Sequence, residues 1–261
     1  MTRGNPFGLL FGFAFSLMIG NVFQQLYTFV DTMIVGKYLG VTALAALGAT
    51  EWLVFVMFGC VQGITQGFSI SMAKRFGSHD EEKLKKDMGA SVLLCLVLGV
   101  LFTIVGIALC KLVLQLLHTP QDMIGMAQVY LRTLYSGVCI SFGYNILAAF
   151  LRAVGDSRTP LVAVSLAAVC NIVLDLLFVV ILHLGVFGAA LATLLSQLLS
   201  AVYCLRVVRD SGFVRIGRAN LEIRPERCRR LLGLGLPMGA QNVITGLGGV
   251  AVQSVINGFG T

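Results

Sequence analysis

Apolar runs of roughly 20 residues recur along this chain, each long enough to cross about 30 Å of hydrocarbon as a helix. Backbone N–H and C=O groups cannot stay unpaired in lipid, so only helices or a closed barrel can occupy that medium. Barrel strands alternate polar and apolar residues, whereas these runs are continuously apolar. The expectation is therefore an all-α fold, a polytopic membrane helix bundle. Composition agrees: of 261 residues 57% are hydrophobic and only 12% charged, about half the charge of a soluble domain.

Seven spans are predicted, over residues 7–36, 41–73, 88–112, 126–151, 161–182 and 189–208, with a seventh beginning near Leu231. They are separated by "KRFGSHDEEKLKKD", "LLHTPQD", "RAVGDSRTP", the tight turn "HLGVFG" and a long basic stretch. Residues 1–208 are thus expected to form a six-helix lobe, 209–230 a basic cytoplasmic linker, and 231–261 a seventh transmembrane helix. The chain stops at Thr261, where that helix would emerge.

The net charge of +7 does not point to nucleic acid, because Lys and Arg sit in short segments between spans, as topology signals do. With the N-terminus in the cytosol, sixteen basic residues fall inside, eight of them arginines between Arg206 and Arg230. Only Lys37, Lys111 and Arg132 fall outside. That asymmetry predicts a multi-pass membrane protein with a cytoplasmic N-terminus. With no small-residue cleavage site after a short apolar core, the first run is read as a retained span.

No G-x-x-x-x-G-K-[ST] occurs, so no ATP engine is expected, and any work must draw on an ion gradient or a partner. The seven cysteines (Cys60, Cys95, Cys110, Cys139, Cys170, Cys204, Cys228) lack C-x-x-C spacing and read as packing residues. His79, His118 and His183 lie at loops or helix ends. No catalytic residue and no cofactor is expected, and the chain is not read as an enzyme.

The expensive groups are the informative ones. Asp31 and Asp175 lie well within predicted spans, and Glu51 lies near the outer end of the second. Intramembrane carboxylates cost at least a few kcal/mol and usually mark ion paths or proton relays. In the predicted topology Asp31, Asp175 and Thr193 all lie roughly 6–12 Å below the outer surface, at about 1.5 Å per residue. In "NIVLDLLFV" (171–179) Asn171 and Asp175 are four residues apart and share one helix face. Two carboxylates, an amide oxygen and a hydroxyl at one depth suit a coupling ion, either a shared H+ or a hard cation such as Na+. An isolated reading, in which each Asp hydrogen-bonds a neighbouring helix while protonated, stays open.

Three segments then carry a family resemblance. "GNVFQQLYTFVDTMIVGKYLGVTALAALGAT" (20–50), "LRAVGDSRTPL" (151–161) and "NIVLDLLF" (171–178) resemble the multidrug and toxic compound extrusion (MATE) transporters, most of all their DinF-like bacterial branch. The resemblance implies twelve spans in two six-helix lobes, so a second lobe is an expected partner, beside the lipid bilayer. It implies antiport, H+ or Na+ entering while organic, often cationic, drugs and toxic compounds leave. It also implies a cation site at Asp31 of "VDT", Asn171 and Asp175 of "NIVLD", and Thr193 of "LATLLSQ". Gln24, Gln25 and Glu51 are candidate cavity or gate residues, with interfacial anchoring the plainer role for Glu51.

One departure stands out: where related first helices read "PLMLGN", this chain has "FSLMIGN", with Ser16 in the proline's place. Proline bends a helix by removing a hydrogen bond, so a proline-driven bend is not expected here. The seventh run, "GLPMGAQNVITGLGGVAVQSVINGFG" (235–260), echoes the first and puts Gln253 where Asp31 stands. Competing readings are a lipid-linked oligosaccharide flippase of the same superfamily, an intramembrane aspartyl protease, and a non-transporting fragment that needs a second lobe. No Lys or Arg lies deep in a span to hold a lipid phosphate, and the Tyr-Asp and Gly-x-Gly-Asp hallmarks of the protease are missing.

Overall fold

A computed structural model describes residues 6–117, 119–211 and 224–258, and these residues form helices with no strand among them. Helix α1 (Pro6–Leu39) turns directly into α2 (Val41–Gly77) through Gly40, whose φ of 86° is costly for any residue with a Cβ. Helix α3 (Glu81–Leu116) starts at Asp80, whose carboxylate accepts the Lys83 N–H at 3.1 Å and caps the first turn. Helices α4 (Gln121–Ser136) and α5 (Val138–Ala153) follow. Helix α6 (Arg158–Asp175) runs on into a π-helical segment (Leu176–Ile181), and α7 (Gly185–Asp210) and α8 (Pro225–Gly258) complete the described chain.

By length and apolarity, five of these helices can cross a membrane, and the α4–α5 pair makes a sixth span if taken as one. A belt of exposed Leu, Val, Ile and Phe on α1, α3 and α6 is what a lipid-facing surface requires. The chain is therefore a multi-pass membrane protein.

Three expectations are corrected. The predicted fourth span, 126–151, is not one rod: α4 and α5 meet at Gly137 with a 48° bend. A Ser-Gly pair is a usual kink site, and here Leu194 of α7 fills the space where a Gly137 Cβ would stand. The linker expected over 209–230 is already helical from Pro225, because proline suits a first helical turn; its residues 212–223 lie outside the described ones. Helix α8 is not among the helices that qualify as spans by apolarity among the described residues. It is nonetheless not stranded, for it lies along α2 and touches α3.

Small residues explain that contact. A Cβ on Gly63 would come within 2.5 Å of the Met238 carbonyl oxygen, and one on Gly67 within 2.5 Å of the Gly235 Cα. Gly59, Gly63 and Gly67 of α2 repeat every four residues and meet Asn242, Gly239 and Gly235 of α8. Backbones thus touch with no side chain between them, the packing membrane helices use when water supplies no drive. The Asn242 amide donates to the Gly59 carbonyl at 2.8 Å across the same seam.

Elsewhere the bundle is closed by large apolar side chains, among them Phe142, Phe150 and Met88. Interhelical bonds run from Ser141 to Gln197 at 2.6 Å, Ser200 to the Ala163 carbonyl at 2.8 Å and Thr103 to the Tyr135 carbonyl at 2.9 Å. Cys95, Cys110 and Cys204 are buried as free thiols. Helix α1 is continuous past Ser16, whose hydroxyl donates back to the Gly12 carbonyl at 3.0 Å.

Candidate functional site

Helix α1 packs against α6, and this contact makes the site. Asn171 and Asp175 project from one face of α6, as their spacing requires, and that face is turned inward: they are 1% and 0% exposed. Asp31 on α1 is 7% exposed. The Asp31 and Asp175 carboxyl groups are near enough to influence each other electrostatically.

Their surroundings leave them unsatisfied. Among the described residues, the buried side-chain polar atoms without a hydrogen-bond partner are Asp31 Oδ1, both polar atoms of Asn171 and both oxygens of Asp175. An unpaired buried polar group costs roughly 1–3 kcal/mol, and a charged one more. All of that cost is concentrated at one point. Two carboxylates have no donor to offer each other; a proton shared between them supplies one, and a small cation would bind the same oxygens. The π-helical segment begins at the residue after Asp175, and such segments inside helices commonly mark functional sites.

Thr193 stands on α7, which packs on α6. It is half-buried, and its hydroxyl donates to the Ala189 carbonyl of its own helix at 3.2 Å. Among the described residues no hydrogen bond joins it to the other three.

Two tyrosines escaped the sequence reading. Tyr27 lies one turn before Asp31 on α1 and close enough to feel its charge. Tyr130, on α4 and 9% exposed, sits in the combined field of Asp31, Tyr27, Asp175 and Glu51. The spacing of Tyr27 from Asp31 was a readable signal; Tyr130 carried none, since only the fold brings α4 there.

The face of α1 away from α6 forms one wall of a cleft of about 670 Å³, lined by Asn21, Gln25, Thr28 and Thr32, several apolar side chains, and Glu51 of α2. The four polar residues are spaced four, three and four apart, which is one helical stripe. Gln25 and Glu51 thus line the cleft. Gln24 is exposed on α1 outside that lining. The side chain of Gln253, like His118, lies outside the described residues.

A second buried carboxylate was also missed. Asp87, just before the predicted third span, is 1% exposed. The Arg230 Nη2 donates to both its oxygens at 2.8 Å, the Arg227 Nε lies 3.3 Å away and the Arg75 Nε 3.7 Å, and the Ser71 hydroxyl donates at 2.8 Å. The basic ends of α2 and α8 therefore meet at the start of α3, where Arg227 and Arg230 of the expected linker contact Asp87.

Residues 16–177 match the MatE family. The chain is 33% identical over 259 residues to a probable multidrug resistance protein, YpnP, of Bacillus subtilis, covering 99% of this chain and 58% of that protein. It is 27% identical to the DNA damage-inducible protein F of Escherichia coli over 77% of this chain and 44% of that one. Its fold superposes with a TM-score of 0.85 and 30% identity on a MOP superfamily transporter from Pyrococcus furiosus, covering 92% of this chain and 54% of the other. The chain spans about half the length of the relatives it matches.

Proposed function

Because the chain belongs to the MatE family, we propose that it acts in an ion-coupled antiporter that exports organic, often cationic, drugs and toxic compounds across a bacterial plasma membrane. In this reading the N-terminus is cytoplasmic, H+ or Na+ is the coupling ion, and a second six-helix lobe faces α1. Multidrug resistance relatives support the efflux. The coupling rests on one observation: Asp31, Asn171 and Asp175 are buried together with their polar atoms unpaired.

The geometry offers a route from ion to drug. Helix α1 carries Asp31 on the side facing α6 and the Asn21–Gln25–Thr28–Thr32 stripe on the side facing the cleft. Loading the ion site relieves repulsion between two carboxylates, and any adjustment of α1 is transmitted rigidly to the cleft wall. Glu51 is the acidic group of that wall and suits a cationic guest. Thr193, on α7, supplies the hydroxyl that the proposal assigns to the ion.

The test has two arms. Dye efflux from vesicles is driven by an H+ gradient or by a Na+ gradient, separately, for the chain paired with a second lobe and for the same assembly carrying Asp175→Asn. Ion binding to the purified chain is followed by Na+-dependent thermal shift and by proton release. One ion is expected to drive efflux and to bind, and Asp175→Asn is expected to abolish both. Ion binding unchanged in both Asp31→Asn and Asp175→Asn would end the proposal, whatever the efflux arm gives.

A further inference from the structure

The chain crosses back and forth, so the starts of α3, α6 and α8 and the ends of α2, α5 and α7 share one end of the bundle. The basic residues there are not all held alike. Lys83, Lys85 and Lys86 at the start of α3 pair with Asp80, Glu81 and Glu82, and Arg75, Arg227 and Arg230 meet Asp87. By contrast, Arg158 at the start of α6 and Arg206 and Arg209 at the end of α7 are exposed and enter no ion pair among the described residues. Arg152, in the last turn of α5, is half-buried near Cys204 of α7 and is likewise without an ion pair. Two aspartates stand close by in the chain. Asp156 is taken up by the first turn of α6, accepting the Arg158 and Thr159 N–H groups at 3.0 Å each and the Thr159 hydroxyl. Asp210 is exposed and pairs with neither neighbouring arginine. Four arginines against two aspartates leave this corner positive.

These arginines stand at the edge of two apolar stripes. On α6, Arg158 is followed by exposed Val162, Leu166 and Val169, at spacings of four, four and three. On α7, exposed Leu198, Val202 and Leu205 lead to Arg209, at spacings of four, three and four. Each set therefore lies along one side of its helix. The two helices pack on each other, and the Ser200 hydroxyl donates to the Ala163 carbonyl at 2.8 Å. From that bond Arg158 lies five residues back along α6 and Arg206 six residues on along α7. At about 1.5 Å per residue both stand roughly 8–9 Å towards the same end.

An apolar wall edged by cations matches an amphiphile whose head is negative. A free anion would leave the wall uncovered, and an acidic protein segment would meet acyl chains rather than water along it. We propose that the α6–α7 corner is a binding site for an anionic phospholipid. Arg158, Arg206 and Arg209 hold its phosphate, and its chains lie along the exposed valines and leucines of the two stripes. Guanidinium forks suit phosphate oxygens, and each basic group near an anionic bilayer surface contributes about a fivefold gain in binding. The lipid thereby supplies the counter-charge that the chain provides for Lys83, Lys85 and Lys86 but not for this corner. The inference needs only that the chain spans a bilayer, and it is independent of the efflux reading.

The full chain is purified in an uncharged detergent and titrated with phosphatidylglycerol, phosphatidylcholine or glycerol 3-phosphate. Bound lipid is read by native mass spectrometry, and the melting temperature is followed in parallel. Phosphatidylglycerol is expected to raise the melting temperature and to bind about tenfold or more tighter than phosphatidylcholine. Glycerol 3-phosphate, which has the charge and no chains, is expected neither to stabilise the chain nor to displace the lipid. Arg209→Gln is expected to weaken phosphatidylglycerol binding about fivefold, and Arg158→Gln, Arg206→Gln and Arg209→Gln together about a hundredfold. Lys85→Gln, which removes a paired cation at the same end, and Lys111→Gln, at the far end of α3, are expected to leave binding within about twofold of native.

The proposal is overturned if phosphatidylcholine binds as tightly as phosphatidylglycerol, or if glycerol 3-phosphate displaces the lipid, since the corner would then take any anion. It is equally overturned if Lys85→Gln or Lys111→Gln weakens binding as much as Arg209→Gln, which would make net charge the determinant. The three arginines are exposed, so their variants are expected to fold; if the triple variant does not, the single Arg209→Gln decides. No gradient or drug is present, so a failure of the ion-site reading leaves this outcome untouched, and the converse holds.

Discussion

The molecule buries acidic groups in two places and treats them oppositely. At the α1–α6 contact, two carboxylates and an amide lie buried with polar atoms unpaired. At the α2–α3–α8 contact, one carboxylate meets a hydroxyl and three guanidinium groups. Burial is nearly the same, since Asp175 is 0% and Asp87 1% exposed. What differs is satisfaction. A saturated carboxylate has no capacity left for a guest and joins helices; an unsatisfied pair weakens the bundle and leaves its oxygens for something that arrives and departs. Residue type and depth alone do not separate a ligand site from a clasp; the hydrogen-bond inventory does.

That contrast sets opposite signs for the same chemical change. Asp87→Asn should destabilise the chain by about 2–4 kcal/mol, toward the low end of values for broken buried pairs because Arg230 is partly solvated. Asp175→Asn should leave stability within about 1 kcal/mol of native, or raise it, because it removes charge that had no partner. Denaturant unfolding in detergent measures both. Equal losses in the two variants would erase the distinction between clasp and ion site.

The seam offers a sharper cut at lower amplitude. Gly63→Ala should cost about 1–3 kcal/mol and loosen α8, since its Cβ has no room beside Met238. Gly48→Ala, on the same helix with nothing within 4 Å, should be neutral or stabilising by about 0.5–1 kcal/mol. If both behaved alike in thermal unfolding, close backbone approach would not be what seats α8.

The smallest effect lies at the loop that leads into Asp87's helix. The Lys83 side chain and N–H hold the Asp80 carboxyl below the usual carboxylate range. A lowered value means stability present above the unfolded value of about 4 and lost as pH falls through the folded one. Asp80→Ala should therefore melt slightly earlier than the native chain at pH 7, with the gap closing as the pH falls through the lowered folded-state value. A gap that persisted in acid would assign the effect to capping geometry rather than charge, and would separate this exposed aspartate from the two buried sites.

Much was legible in the chain itself. Continuous apolar runs left helices in a bilayer as the only way to pair the backbone, and the i, i+4 spacing put Asn171 and Asp175 on one face. Asp31 and Asp175 shared a depth because both α1 and α6 were predicted to run outward, which placed two oxygen donors side by side before any packing was known. These are consequences of local periodicity and solvent, and periodicity is written in the residue order.

What only the tertiary structure decided depends on partners far apart in the chain. Arg230 lies 143 residues from Asp87, so Asp87 looked like the last charge of a loop and not the centre of a clasp. Tyr130 came near the acidic pair only through the packing of α4 in the bundle. Helix α8 seemed to have no bundle to join, until glycines on α2 gave it a surface. A side chain's neighbours in lipid come from close backbone approach and pairwise charge, neither of which has a period, and so no stretch of the chain could announce them alone.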